Sequence, residues 1–335
     1  MEVGTLYIAT QGARLTKVGE RLVVRNKEGK IIHDMPFFKV RQIFCFETVE
    51  VTAQTIFQIM YRNIDLVYLT KTGRFKCRLS NLNEKSVITR IEQYKRSFDE
   101  NFRLGMARKI VIGKLTNYRL WVMFKNRRAV IEAHQEAAAI SEAIRLAEDA
   151  SGVDELMGIE GIGSKAYFEA FRKALKQELG FFERNRRPPK DPVNAMLSFG
   201  YTILYHKVLA AIEQAGIDPY MANLHSNQNA RPSLALDLME EFRHFCVDAV
   251  VLRLVNLAQV RASNFTYTAD KGVLMSEYAI AMLVKEMQNR LGSSFVYVRD
   301  GKKLQLQEQI IRQAYFYRDA VNNGVEIYQP VIFNK

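Results

Sequence analysis

The first eighty residues carry the short alternating pattern of β-strands. Apolar and polar side chains alternate over brief runs, and turn residues such as those at 26–29 separate the runs. The predicted strands cover residues 5–9, 21–25, 30–33, 40–46, 65–69 and 75–79. Over residues 52–61 the apolar spacing changes to that of a helix. We therefore predict a β-sandwich with one inserted helix.

From about residue 82 onward the pattern changes to long helical stretches with few breakers. The predicted helices cover residues 86–113, 116–124, 129–150, 163–178, 192–215, 233–260, 276–290 and 304–321, and a short hairpin is predicted at 293–303. Asp191 can cap the helix that begins at Pro192. The predicted fold class is α+β, with an N-terminal β-sandwich domain at residues 1–82 and a larger all-α domain at residues 83–335.

Composition excludes several classes of protein. The chain has 335 residues, of which 48% are hydrophobic, with 18 glycines, 7 prolines and three isolated cysteines. This excludes a fibrous, disordered or disulfide-scaffold protein and fits a reducing compartment. The N-terminus lacks the pattern of a secretory signal, and no uninterrupted apolar run approaches the ~18–20 residues of a membrane span. We expect a cytoplasmic protein with no membrane partner.

Basic charge is concentrated in particular segments. The chain has 48 Lys and Arg residues against 36 Asp and Glu residues. Residues 86–128 hold eleven basic and three acidic residues, whereas residues 129–160 hold eight acidic residues and one arginine. The first segment either follows a phosphate backbone or is a solvated helix face beside an acidic neighbour. The candidate DNA-binding residues are Arg103, Arg108 and Lys109 in that segment, Arg184, Arg186 and Arg187 in a proline-containing loop, and Arg231.

Carboxylates and one histidine are candidates for chemistry. Asp237 and Glu240 share one face of a predicted helix, and His225 lies in a polar loop shortly before them. Such a carboxylate pair holds a divalent cation if further ligands converge, and is otherwise a solvated acidic stripe. The sequence contains no Walker loop, nucleophile elbow, zinc-protease helix or dinucleotide-binding fingerprint.

Glu160 is the third candidate, because it stands between glycines in an apolar stretch that opens a predicted helix. One interpretation makes Glu160 a metal ligand, with the glycines allowing close backbone approach. The other takes residues 161–166 as a helix-hairpin-helix-like turn whose backbone N–H groups bind DNA phosphate. The residues alone leave both interpretations open.

Four segments resemble motifs of one family. They are GIEGIGSKAYFEAF at 158–171, RRPPKDPVNA at 186–195, GIDPYMANLH at 216–225 and RPSLALDLMEEFR at 231–243. In this order and spacing they are similar to the CRISPR-associated adaptation integrase, the first protein of the Cas series. The resemblance covers essentially the whole chain, with a mild departure at residues 163–164, where the family often carries two small alanine-like residues.

The resemblance implies an N-terminal β-sandwich joined to an α-helical catalytic domain, in a homodimer that assembles with a small second CRISPR-associated adaptation protein. It implies a metal-dependent endonuclease and integrase that acts on double-stranded and branched DNA. Such an enzyme inserts short foreign fragments (spacers) into the CRISPR array by transesterification through a DNA 3′-OH. Glu160, His225 and Glu240 carry over as ligands of Mg²⁺ or Mn²⁺, with Asp237 beside them as a further catalytic residue. The alternative hypothesis is a non-catalytic helix-hairpin-helix-type DNA-binding protein.

The sandwich itself offers few groups for chemistry. Residues 37–38 and 43–46 offer more aromatic surface than one small domain readily buries, and the strands leave edges to be covered. We therefore expect this domain to form the homodimer contact and to help dock the partner protein.

Overall fold

The chain is described here by a computed structural model at residues 4–80, 87–186, 188–226, 231–269, 272–297 and 301–333. The predicted domain boundary between residues 82 and 83 and the candidate Arg187 lie outside the described residues. Strands gather in the N-terminal part and helices in the remainder, so the predicted α+β fold class is confirmed.

Two four-stranded sheets form the N-terminal part. Its elements are β1 (Gly4–Ile8), β2 (Arg14–Val18), β3 (Arg21–Arg25), β4 (Ile31–Pro36), β5 (Val40–Phe46), β6 (Glu50–Val51), α1 (Ala53–Tyr61), β7 (Asp65–Leu69) and β8 (Phe75–Leu79). One sheet has the order β1-β5-β7-β8 and the other the order β4-β3-β2-β6. β5 lies parallel to both β1 and β7, whereas β2, β3 and β4 are antiparallel. The predicted sandwich with an inserted helix is thus present.

Strand β5 is buried on both of its faces. Ile43 and Cys45 point into the core between the sheets, whereas Phe44 and Phe46 join the core of the helical part. The Phe46 ring stacks on Phe199 with 5.4 Å between ring centroids. The expectation that residues 43–46 supply a dimer surface is therefore wrong, because the second sheet covers one face and the helical part covers the other.

Helices make up most of the remaining chain. They are α2 (Val87–Ser97), α3 (Glu100–Arg127), α4 (His134–Asp149), α5 (Val153–Lys173), α6 (Pro192–Gln214), α7 (Ser233–Met239), α8 (Ala249–Asn256), α9 (Glu277–Gly292) and α10 (Leu306–Asn323). Two small hairpins interrupt them, β9 (Phe265–Tyr267) with β10 (Val273–Met275), and β11 (Ser294–Val296) with β12 (Lys303–Gln305). The second hairpin matches its prediction, whereas the sequence reading missed the first.

Helix α5 begins ten residues before its predicted start at 163. Residues 161–166 therefore lie inside a continuous helix, and the proposed helix-hairpin-helix turn is wrong. A Cβ on Gly163 would lie 2.5 Å from Leu115 Cδ2 and 3.3 Å from Ala143 Cβ. This glycine lets α5 pack closely against α3 and α4, which explains its presence without a turn.

Two further predicted helices differ from the structure. Helix α3 begins anew at Glu100, where the Asp99 carboxylate accepts hydrogen bonds from the backbone of Asn101 and Phe102, and it runs unbroken through residues 114–115. The predicted helix at 233–260 changes pitch, with a 3-10 turn at Glu240–Phe242 and a π-helical segment at His244–Asp248 between α7 and α8. Such irregular turns are frequent at functional sites.

Helix α6 is the central helix of the fold. Asp191 caps it as predicted, since its Oδ1 accepts a hydrogen bond from the backbone of Asn194 at 2.8 Å, and Pro192 occupies the first turn. By length and composition alone α6 could cross a membrane, but 72% of its apolar window is buried inside the fold. Its apolar character is thus accounted for by packing.

Candidate metal centre and its surroundings

Two acidic side chains from separate parts of the chain meet around one lysine. Lys114 lies on α3, Glu160 in the middle of α5, and Glu240 at the 3-10 turn after α7. The Lys114 ammonium forms an ion pair with Glu160 Oε1 and another with Glu240 Oε2, the latter at 2.7 Å. The structure therefore brings together two of the three metal ligands that the family resemblance implies.

Two more side chains support these carboxylates. The Ser164 hydroxyl, one turn along α5, donates a hydrogen bond to Glu160 Oε1 at 2.7 Å. Arg243 lies 2.8 Å from Glu240 Oε1. The cluster of Lys114, Glu160, Glu240 and Arg243 pairs two negative with two positive charges. We call these four residues the carboxylate cluster.

Both carboxylates of the cluster are held in the ionised form. Burial raises the pKa of Glu160, but the Lys114 charge and the hydrogen bonds from Lys114 and Ser164 outweigh it and lower the pKa to about 2. Burial likewise raises the pKa of Glu240, yet Arg243, Lys114 and more weakly His225 lower it overall, against the neighbouring Glu160. Ionised carboxylates are the form that a divalent cation requires.

His225 is held by Asp237 beside this cluster. Its Nδ1 lies 2.7 Å from Asp237 Oδ1, and Asp237 also accepts hydrogen bonds from the backbone N–H groups of Asn223, Leu224 and His225 at 2.7, 2.9 and 3.0 Å. A carboxylate can only accept, so this network assigns the proton to Nδ1 and leaves Nε2 unprotonated.

The catalytic role that the resemblance implies for Asp237 stays a prediction. Asp237 is completely buried, and its two oxygens are engaged by the loop that carries His225. Its place is that of a positioning residue, which fixes the loop and orients the imidazole ring.

Glu241 does not belong to the cluster, although it follows Glu240 directly. It accepts hydrogen bonds from the Tyr328 hydroxyl and from the backbone of Val331, at 2.5 and 2.8 Å. Burial raises the pKa of Glu241 to about 8, against the hydrogen bonds that lower it. The acidic stripe expected along one helix face is therefore divided between two environments.

The donor types of Glu160, Glu240 and His225 together fit a magnesium or manganese ion. Two carboxylates and an imidazole suit a hard or borderline divalent cation. Within the described part of the chain, no three His, Cys, Asp or Glu side chains are arranged to hold a metal as they stand. The fit lies in the donor set and in the convergence of Glu160 and Glu240 on a single positive charge.

Three of the predicted DNA contacts in the basic segment are engaged within the chain. Arg103 donates to Asn223 O at 3.2 Å, Arg108 to Ala150 O at 2.7 Å and Lys109 to Tyr328 O at 3.0 Å. Each is half-buried. Their role in DNA binding stays a prediction, and the structure adds that they tie α3 to neighbouring segments.

The other predicted DNA contacts differ in exposure. Arg184 is half-buried, donates to Asn194 Oδ1 at 2.6 Å and to Ser198 Oγ at 3.0 Å, and burial lowers its pKa to about 10. Arg186 is exposed and available to a phosphate, and Arg231 is half-buried. The basic loop therefore has one arginine built into the fold and another facing solvent.

Sequence reasoning missed the roles of Lys114, Ser164 and Arg243. Lys114 was counted with the basic segment, yet its α3 neighbours Ile110, Val111 and Leu115 are all buried. A lysine in the apolar face of a helix is rarely buried without a partner. That placement was the signal that could have set Lys114 apart from its solvent-facing neighbours.

Comparison with known proteins agrees with the fold and with the family resemblance. The sequence model of the family described as "CRISPR associated protein Cas1" matches residues 6–289. The chain is similar to "CRISPR-associated endonuclease Cas1 3" of Thermus thermophilus, with 33% identity over 98% of this chain and 97% of that protein. It is 29% identical to "CRISPR-associated endonuclease Cas1 1" of Chlorobaculum tepidum, over 99% of this chain and 98% of that one.

Solved structures share the whole fold. A CAS1 protein from Thermotoga maritima superposes with a TM-score of 0.82 at 23% identity, covering 99% of both chains. A casposase bound to integration product gives a TM-score of 0.85 at 22% identity, covering all of this chain and 94% of the other. A chain of a Cas6-RT-Cas1–Cas2 complex gives 0.83 at 23% identity; this chain is covered to 99% but spans only 36% of that longer one. The family match over most of the sequence, together with these relatives, shows that the chain belongs to the Cas1 family of CRISPR-associated proteins.

Proposed function

We propose that this protein is a metal-dependent DNA endonuclease and integrase of CRISPR adaptation, which joins short DNA fragments to the CRISPR array through attack of a DNA 3′-OH on a phosphodiester. Membership of the Cas1 family confirms the predicted class, a CRISPR-adaptation endonuclease or integrase. The metal, its ligands and the DNA contacts are proposals. The observation that carries them is the convergence of Glu160 and Glu240 on one cation.

Glu160, His225 and Glu240 would hold the Mg²⁺ or Mn²⁺ ion. When bound, the ion supplies Lewis-acid polarisation of the scissile phosphate and neutralises charge that develops on it. Asp237 orients the His225 ring through its Nδ1 and fixes the preceding backbone. Arg243 balances the charge of Glu240, so the ligands are preorganised before DNA arrives.

Positive side chains outside the cluster would position the DNA. Arg186 stands in the basic loop that leads into α6, and the sequence places Arg187 directly after it. Phosphate contacts of this kind orient DNA without reading its bases. The proposed substrates are double-stranded and branched DNA. The sequence-independent part of their binding should weaken as salt is raised.

The sandwich would serve assembly. Phe38, Phe57 and Tyr61 are 59%, 69% and 80% exposed, which leaves an aromatic surface on this part of the molecule. Two of the similar solved structures are titled as complexes that contain Cas1 and Cas2. We propose that this surface forms the homodimer contact and that the dimer binds a small second adaptation protein.

A strand-transfer assay tests the proposed chemistry. The purified full chain is incubated with a short duplex bearing free 3′-OH ends, a target duplex, and either Mn²⁺, Mg²⁺ or a chelator. Glu160→Gln and Glu240→Gln should each lower product formation by roughly 10²–10³-fold, since each removes one contact to the reacting charge. Glu142→Gln is the matched control, because Glu142 is exposed on α4 and pairs with Arg145.

Two results would contradict the proposal. One is strand transfer that persists in the chelator, and the other is a pair of cluster variants as active as the control. The non-catalytic alternative predicts DNA binding with no joined product under any metal.

A further inference from the structure

Lys114 is the one basic residue of the 86–128 segment whose charged end lies inside the carboxylate cluster, among the described residues. Its side chain is only 5% exposed, and its ammonium is shared between the Glu160 and Glu240 carboxylates. A buried ammonium is costly unless it is paired, and two buried carboxylates repel each other unless a cation separates them. The buried ammonium therefore requires the two carboxylates, and the two carboxylates require a cation between them.

A divalent cation would need the same oxygen atoms. Lys114 contacts Oε1 of Glu160 and Oε2 of Glu240, which are the atoms that the two side chains turn towards each other. Magnesium–oxygen distances are about 2.0–2.1 Å, so an ion held by both of these oxygens would lie where the ammonium now lies. Two positive charges at such a separation would also repel strongly.

The Lys114 side chain is flexible, and its ammonium lies beside an aromatic ring. Its stem has four carbons and rotates freely compared with the guanidinium of arginine. The ring of Tyr118, one turn further along α3, has its centroid 5.5 Å from the ammonium. An aromatic face at this distance attracts a cation. The Tyr118 ring therefore stabilises a positive charge at the position that the ammonium now holds.

From these contacts we infer that Lys114 occupies the metal position in the metal-free protein and leaves it when Mg²⁺ or Mn²⁺ binds. Metal binding is then an exchange of an ammonium for a divalent ion. This inference rests on the proposed function, because it takes Glu160 and Glu240 as metal ligands. Lys114 is a positioning residue that keeps the ligands together and ionised until the metal arrives.

An exchange has a measurable consequence for metal affinity. A ligand whose site is free in only a fraction of molecules binds more weakly by that fraction. If Lys114 fills the gap in most molecules, its removal should tighten metal binding by roughly 10–100-fold. A lysine that merely supported the ligands would have the opposite effect, since its removal would loosen the site.

The experiment measures Mn²⁺ binding to the DNA-free full chain by the electron paramagnetic resonance signal of unbound Mn²⁺. Lys114→Met is compared with the wild type and with Lys173→Met. Lys173 is a matched control, because it pairs with the buried Glu136 at 2.5 Å on another face of α5. We expect Lys114→Met to bind Mn²⁺ more tightly, to melt at a lower temperature without metal, and to gain more in melting temperature when Mn²⁺ is added. Lys173→Met should bind Mn²⁺ as the wild type does.

The outcomes separate this inference from the proposed function. Tightening by more than about threefold supports the exchange, whereas unchanged or weaker binding in Lys114→Met overturns it. Glu240→Gln in the otherwise unchanged chain reports on the metal site itself. If it abolishes wild-type binding while Lys114→Met brings no gain, the exchange fails and the metal site stands. If Glu240→Gln binds Mn²⁺ as well as the wild type, both fail.

A second measurement covers the case in which Lys114→Met does not fold. In protein labelled with ¹⁵N at the lysine side chains, the Lys114 ammonium resonance is identified by its absence from Lys114→Arg. We expect Mg²⁺ to shift this resonance and speed its proton exchange with water, as the ammonium leaves its buried pair. A resonance that does not respond to saturating Mg²⁺ overturns the exchange.

Discussion

Replacing Asp237 with Asn should damage the site without changing the size of the side chain. The two carboxylate oxygens of Asp237 each accept two hydrogen bonds, Oδ2 from the backbone of Asn223 and Leu224, and Oδ1 from the backbone and the ring of His225. An amide keeps one acceptor oxygen and presents an NH₂ group in place of the other. With the NH₂ group towards Asn223 and Leu224, two of the four bonds are lost. With the NH₂ group towards His225, the backbone bond is lost and the ring bond reverses its direction.

The magnitude follows from the charge on the acceptor. Hydrogen bonds to a charged group contribute about 1.5–3 kcal/mol each, so two of them amount to about 3–6 kcal/mol of unfolding free energy. Asp237 is completely buried, so water cannot replace the lost partners. If the NH₂ group faces the ring, it donates to Nδ1 and moves the proton to Nε2, the nitrogen needed for the metal.

Urea unfolding and Mn²⁺ binding check this reasoning together. We expect Asp237→Asn to be less stable than the wild type and to bind Mn²⁺ at least about tenfold more weakly, as is usual for groups behind a metal ligand. Asp218→Asn is the control, since Asp218 also accepts from a backbone N–H, that of Tyr220, but does not contact His225. An Asp237→Asn protein with wild-type stability and wild-type Mn²⁺ affinity would refute the positioning role.

Acid should weaken the cluster itself. Glu160 has a pKa of about 2 in the fold against an ordinary 4.5, so its ionised form stabilises the protein above pH 4.5 and this contribution is lost as the pH falls towards 2. The free energy of unfolding, measured in urea, should therefore fall less steeply below pH 4.5 in Glu160→Gln than in the wild type. Arg186→Ala should weaken binding to duplex DNA of any sequence and reduce the log–log salt slope by about 0.9, measured by fluorescence anisotropy across salt concentrations; an unchanged slope would exclude a phosphate contact. Replacing the exposed Phe57 and Tyr61 together with Glu should give a folded monomer in sedimentation, whereas a persistent dimer would place the contact elsewhere.

The sandwich was predictable because its strands obey a local rule. The β-branched and aromatic residues over 40–46 identify β5 correctly, since such side chains favour a strand whatever covers it. The local sequence does not show which part of the molecule packs against each face of β5. Phe44 and Phe46 pack on the helical part, and their contact with α6 joins residues far apart in the sequence. No local pattern distinguishes that face from a free one.

The sequence identified two residues of the carboxylate cluster but not the arrangement of the cluster. Glu160 and Glu240 were identified from motifs, whereas the start of α5 was misplaced because glycines near Glu160 were taken as turn residues. Gly163 serves close helix packing against Leu115, which is visible only in three dimensions. The burial of Lys114 was equally hard to predict from the sequence, because its two partners come from α5 and from the turn after α7. From the sequence, a charged residue in a basic segment is expected to face solvent. Its burial becomes visible only when the positions of the neighbouring helices are known.

The packing of Phe46 against Phe199 has a consequence for how the chain is made. Roughly 150 residues separate the two rings, and a ribosome adding about 5–20 residues per second needs on the order of 8–30 seconds to produce them. Throughout that interval the sandwich has emerged, but the aromatic face of β5 has no α6 to cover it. Sandwich strands with an apolar face exposed for this long are prone to pair with other nascent chains. The protein should therefore depend on chaperones during synthesis more than its finished fold suggests, and slower translation should lower its yield.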